Sequence, residues 1–289
     1  MFDIDLLRGY YTGNGIKIAL IDTGIYAREY DNNIMHYIVD NGMCHLLKEY
    51  PNSVDIHGAM CGETILNIAK DVTLIDVNVL NKNGEITEEN VYEAIMFAIT
   101  MKVDIINISI GFSLYSSVIG EACKKAYEES ILIVASGSND NDICFPADDM
   151  HVIKVIKDIS KKNYDEENIR RSNIAEYQVQ CPDYSGQIKR PNKGIKLVTA
   201  SGNSVACAYF SGILALFLES RPLVRRYELR NLIFGLSKLK NETSDDEKDI
   251  EKTVELNSLY CVLSSYYNIY NMRYSSILCN NIKGYYDLS

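Results

Sequence analysis

Val103-Asp104-Ile105-Ile106-Asn107-Ile108-Ser109-Ile110 is an apolar run with three polar members. It is too short for a buried helix and fits a strand covered on both faces. Helical patterns lie on either side. Upstream, 88–101 puts apolar residues at 91, 95, 98 and 99, one stripe of a helix. Downstream, 119–129 does the same. A strand between two such helices must run parallel to its neighbours, because each helix is a crossover connection. The pattern continues outward. Residues 16–21, 72–79, 131–135 and 152–156 read as further buried strands, and 58–69 as a helix. The expected fold is α/β, a mainly parallel central sheet with helices on both faces.

After residue 157 the pattern loosens into loops with short strands, rich in Lys, Asp, Glu, Asn and Arg. Helical periodicity returns at 204–218 and 227–239. Residues 1–239 form the expected main domain. Residues 240–289 form an extension expected to pack on it, entered through a charged linker at about 241–252.

Composition narrows the function classes. The 289 residues are 47% hydrophobic and 24% charged, an ordinary globular balance. The charge is −10, from 29 basic against 39 acidic residues. That disfavours nucleic acid as a partner, since phosphate binding needs clustered Lys and Arg. The longest clean apolar stretch, 213–218, is too short for a membrane span. The N-terminus carries acid where a secretory signal carries base, and none of the eight cysteines lies in a CxxC pair. Reduced cysteines and a cytoplasmic location are the expectation.

Three segments could carry chemistry. Asp22 ends the first strand, ahead of Thr23-Gly24; carboxyl ends of parallel strands are where functional groups collect. His57 opens a helix, followed by Gly58 and Gly62. Ser204 opens the apolar helix after Gly202-Asn203, where free N–H groups and the positive helix end could stabilise developing charge. Each has a plainer reading alone: a turn-capping Asp, a satisfied polar His, an N-cap Ser.

Together, in the order Asp, His, Ser, they resemble the subtilisin-like serine proteases over residues 10–235. Asp22-Thr23-Gly24, His57-Gly58 with Gly62, and Gly202-Asn203-Ser204-Val205-Ala206 resemble the family's three active-site motifs. Asn107-Ile108-Ser109-Ile110-Gly111 and Ala135-Ser136-Gly137-Ser138 resemble the segments lining its substrate cleft. The resemblance implies Ser204 as nucleophile, His57 as general base and acid, and Asp22 as the group orienting the imidazole. It also implies an extended peptide or protein substrate. That substrate would lie against Ser109, Ile110, Gly111, Ala135, Ser136 and Gly137, with Cys144 near the pocket floor. Phe145-Pro146 resembles a family segment whose peptide bond is usually cis.

Departures from the pattern are informative. The family's oxyanion-hole Asn is Ser138 here, and the Thr before the nucleophile is Asn203. The missing donor is expected from the Asn203 or Asn139 amide. Asp140 and Asp142 at the pocket rim either favour a basic substrate residue or form a solvated loop. About 15 residues precede the first strand, which resembles intracellular members without a pro-domain. The expectation is a dedicated processing endopeptidase, for example one removing a leader from a partner peptide. The rival is a weak or inactive family member used as a binding module. A small-ester α/β hydrolase would want G-x-S-x-G and a different residue order. No cofactor is expected; calcium-site residues are not recognisable. Oligomeric state is not legible.

Overall fold

The computed structural model describes residues 8–25, 33–47, 55–140, 143–157, 176–179, 181–190, 194–220 and Leu229. The principal sheet has eight strands. They are β1 (Lys17–Asp22), β2 (Ile34–Asp40), β3 (Met43–Leu46), β4 (Thr73–Asn78), β5 (Ile105–Ile108), β6 (Leu132–Ser136), β7 (Val152–Lys157) and β8 (Glu176–Val179). Their order is β3-β2-β4-β1-β5-β6-β7-β8. Every neighbouring pair is parallel except β2 with β3. Strands β9 (Tyr184–Arg190) and β10 (Gly194–Ala200) form a separate antiparallel ribbon.

The helices described in full are α1 (His57–Ile68), α2 (Glu88–Thr100), α3 (Ser117–Glu128) and α4 (Asn203–Ser220), and they pack on the sheet. Alternate residues of the strands feed two cores. Ile18, Leu20, Leu74, Ile105 and Val134 pack with Ile65 of α1 and Phe210 of α4. Ala19, Ile21, Ile75, Ile106 and Ile133 pack with Ile95 of α2 and Ala122 of α3. Both faces are therefore dry, which is why the strands read as continuous apolar runs rather than alternating ones. Each fully buried Ile or Leu contributes about 1.5–3 kcal/mol relative to exposure.

Helices α2 and α3 start as their sequences direct. Thr87 Oγ1 accepts from Asn90 N at 3.2 Å, and Ser116 Oγ accepts from Ile119 N at 3.4 Å. Helix α4 is the one described helix long and apolar enough to cross a membrane, longer than the clean run at 213–218 suggests. It is a core helix here, buried between α1 and strands β5–β7. Its apolarity on all sides follows from that burial.

The β2–β3 hairpin is an addition to the elements expected from periodicity. Asn41 and Gly42 both have positive φ, 51° and 71°, the conformation of a tight hairpin turn. The helix expected at 227–239 lies outside the described residues except Leu229, which is helical and fully buried. The extension at 240–289 and its linker also lie outside them. Six cysteines, 44, 61, 123, 144, 181 and 207, are free thiols.

Candidate active site

Strand β1 leads to β4 on one side and β5 on the other, so the carboxyl end of β1 is where the sheet's strand order reverses. Crevices form at such switch points. Asp22, the last residue of β1, is fully buried there. Its Oδ1 accepts from Thr23 N at 2.7 Å and lies 2.8 Å from His57 Nδ1.

The start of α1 is tied to the same turn. Thr23 Oγ1 accepts from Gly58 N at 3.0 Å. A Cβ on Gly58 would stand 2.7 Å from Gly24 N, closer than real side chains come. Only glycine lets the helix start approach the Asp22 turn, so the glycine after His57 sets the His–Asp distance. Asp55 Oδ1 accepts from His57 N at 2.7 Å, satisfying a free helix-start amide.

The imidazole is about one-third exposed, at 32%. Burial disfavours its charged form, but the Asp22 hydrogen bond, the Asp22 charge and the Asp55 charge outweigh this. The pKa is raised above the ordinary 6.5. With Nδ1 held by Asp22, Nε2 is the ring nitrogen left for proton transfer.

Ser204 is the second residue of α4. Asn107, fully buried just before the end of β5, fastens this helix to the sheet. Its amide donates to Ser211 Oγ at 2.9 Å and to Cys207 Sγ at 3.2 Å. Cys207, one turn beyond Ser204, lies within electrostatic reach of Asp22. Burial, with that charge adding to it, pushes its thiol up to about 12. The helix start and the Asp–His pair thus share one end of the sheet. Ser204 Oγ makes no hydrogen bond to the imidazole among the described residues. Without substrate such contacts are commonly long and tighten on binding.

The remaining candidates gather beside the helix start. The Asn203 amide donates to Gly137 O at 3.1 Å and Ser138 O at 2.8 Å, while its Oδ1 accepts from Lys157 N at 2.8 Å. Both amide hydrogens are spent, so Asn203 clamps the loop and is not the expected oxyanion donor. Ser138 Oγ accepts from Asp140 N at 3.1 Å. Asn139 Oδ1 accepts from Asn203 N at 3.1 Å, and a Cβ on Gly202 would stand 3.9 Å from its Nδ2. That assignment leaves the Nδ2 hydrogens of Asn139 without an acceptor among the described residues, next to the Ser204 turn.

Ser109, Ala135 and Ser136 are buried, Ile110 is half-buried and Gly111 is exposed. The backbone groups of Ile110 and Gly111 make no hydrogen bond among the described residues, leaving an edge open to an added strand. Cys144 is buried between this edge and the 136–137 segment, and the Phe145–Pro146 bond is cis. Asp140 is exposed; Asp142 lies outside the described residues.

Three further contributors are Asp55, Asn107 and Cys61. The Asp55-Ile56-His57 spacing is a helix-capping signal, but the other two act through space. Cys61 is buried beside Asp22, and burial with that charge pushes its thiol well up. Asp22, His57 and Cys61 offer metal-ligand atoms within 4.8 Å of one another. Two of those side chains already bond each other.

Comparison with known proteins gives the same picture. The subtilase family model matches residues 13–248. Subtilisin DY of Bacillus licheniformis is 29% identical over 238 residues, 76% of this chain and 83% of that protein. An intracellular serine protease of Paenibacillus polymyxa is 28% identical over 231 residues, 72% of this chain and 68% of that one. Among solved structures, the prenylagaramide maturation protease PagA superposes with TM-score 0.68 at 18% identity, over 90% of this chain and 98% of that one. A mutant form of the protease domain of PatA gives TM-score 0.65 at 16% identity, over 89% and 98%. The structural likenesses speak for the fold and the family match for the chemistry: this chain belongs to the subtilase family of subtilisin-like serine endopeptidases.

Proposed function

We propose that Asp22, His57 and Ser204 form the working triad of an intracellular processing endopeptidase. The observation that carries this is the 2.8 Å bond between His57 Nδ1 and Asp22, anchored from below and placed at the same sheet end as Ser204. Asp22 holds the tautomer with hydrogen on Nδ1 and stabilises the imidazolium. His57 Nε2 takes the Ser204 proton as Oγ attacks the scissile carbonyl, then gives it to the leaving amine. The Ser204 N–H, at the positive end of α4, and the Asn139 amide receive the developing oxyanion. The substrate lies as an added strand along 109–111.

A dedicated role, such as cutting a leader from a partner peptide in the cytoplasm, is supported by two likenesses. The chain resembles a named intracellular protease, and its fold extends over nearly all of a maturation protease. No step of this chemistry calls for a cofactor, so labelling should survive dialysis against a chelator.

The test is a fluorophosphonate probe on the purified chain. We expect one label per molecule, lost in both Ser204→Ala and His57→Ala. Well-folded wild-type protein that takes no label overturns the reading and favours the binding-module alternative.

A further inference from the structure

If the family resemblance holds, the substrate cleft beside Ser204 lies between two walls, the chain leaving β5 at 109–111 and the chain ending its neighbour β6 at 135–137. On the proposed reading it receives the substrate side chain just before the scissile bond. The Cys144 sulfur stands inside it. A Cβ built on Gly111 would lie 2.1 Å from Sγ, so sulfur already occupies the space beside Gly111. The same thiol donates to Ser136 O, in the opposite wall, at 3.3 Å. One atom therefore touches both walls.

The sulfur is also held in place. Cys144 N donates to Asp148 Oδ2 at 2.7 Å, and Asp148 Oδ1 is 3.0 Å from Lys154 Nζ. The next residue, Phe145, exchanges two backbone hydrogen bonds with Phe112, both 2.8 Å, locking this segment to the 109–112 wall. Burial pushes the thiol up, with Asp148 adding to this, so it stays a neutral donor near neutral pH. The space that a side chain on Gly137 would take is also filled, by Ile156 at 2.7 Å and Lys154 at 2.8 Å. Asp148, the carboxylate that holds the Cys144 amide, is already paired with Lys154, so a basic side chain entering here gains no free counter-charge from it.

We infer that the Cys144 thiol is the specificity-determining floor of this cleft and restricts the residue before the scissile bond to small side chains such as Ala, Ser or Gly. Leu, Phe and Lys are excluded by volume. Of the two readings of the acidic rim, this favours the solvated loop.

The test is a series of peptide p-nitroanilides differing only at that residue: Ala, Leu, Phe and Lys. For wild type, kcat/KM should favour Ala over Phe by about 10–100-fold, the scale set by a volume difference in a fitted pocket. Cys144→Gly should erase or reverse that ratio. Cys144→Ser, nearly isosteric, should keep it. If Cys144→Gly does not fold, Cys144→Ala should still shift the ratio towards Leu. The same peptides, fluorescently tagged and bound uncut to Ser204→Ala, give Kd ratios by anisotropy that test the floor whether or not the triad works. Wild type that accepts Phe as readily as Ala, or ratios unmoved by the folded Gly and Ala variants, overturns the inference.

Discussion

Among the described residues, two fully buried carboxylates hold a histidine at the same distance. Asp22 and His57 stand at the carboxyl end of β1, and Asp76 and His36 lie inside the β4–β2 pair; both Nδ1–Oδ distances are 2.8 Å. Local geometry does not tell them apart. Surroundings do. His36 is 11% exposed against 32% for His57, and it lies mid-strand, paired in register with Asp76. Asp76 Oδ2 also accepts from Ile25 N at 2.9 Å, bracing the turn that follows Asp22. Burial pushes the Asp76 carboxyl up, against the opposing pull of His36. The second pair supports the turn. The first is the pair proposed for chemistry, because strand order, helix start and Ser204 converge on it.

The sharpest way to break this comparison is to remove one carboxylate at a time. Asp22→Asn should cut kcat by about 10⁴ while leaving the fold intact, because the imidazole then takes the wrong tautomer. Asp76→Ala should do the reverse. It removes the buried carboxylate oxygen that both His36 Nδ1 and the Ile25 amide contact, at a cost of about 1–3 kcal/mol per lost partner. A urea midpoint should fall accordingly, with kcat per folded molecule changed far less than in Asp22→Asn. If Asp76→Ala loses as much kcat as Asp22→Asn in its folded fraction, the two pairs are not functionally separate.

Smaller effects sharpen the picture. Asn139→Ala should lower kcat by about 10²–10³ if its amide receives the oxyanion. An unchanged rate would leave the Ser204 N–H and Ser138 as the donors. Asp55→Asn keeps a side-chain acceptor for His57 N but removes one charge that raises the imidazole pKa. His57 must be neutral to act as base, so activity is lost as pH falls through its pKa. The acid limb of the kcat/KM profile should therefore move to lower pH in this variant, with the plateau little changed. A limb that stays put would assign it to another group.

Much of the architecture was legible because it is local. The runs at 16–21, 72–79 and 131–135 became β1, β4 and β6 with ends shifted by a residue or two. Buried parallel strands and amphipathic helices each write their period into adjacent residues. The β2–β3 hairpin carried its signal in Asn41-Gly42, but β2 is mostly half-buried and β3 mostly exposed, so their alternation is weak. The Asp-His-Ser order was legible as a family pattern. The expected role of Asn203 was not a matter of pattern, since an amide's availability depends on what else it bonds. Here Gly137 O and Ser138 O take it.

The sequence by itself determined the fold class, the family and the three residues on which the chemistry is proposed to rest, because apolar period and motif spacing are properties of contiguous chain. Tertiary structure decided which His–Asp pair faces the cleft, which amide is spent, and that the Cys144 sulfur touches both Gly111 and Ser136. Those contacts join residues 8 to 66 positions apart in the chain. Only the folded sheet brings such groups within a few ångströms, and hydrogen bonding and volume exclusion act at no greater range.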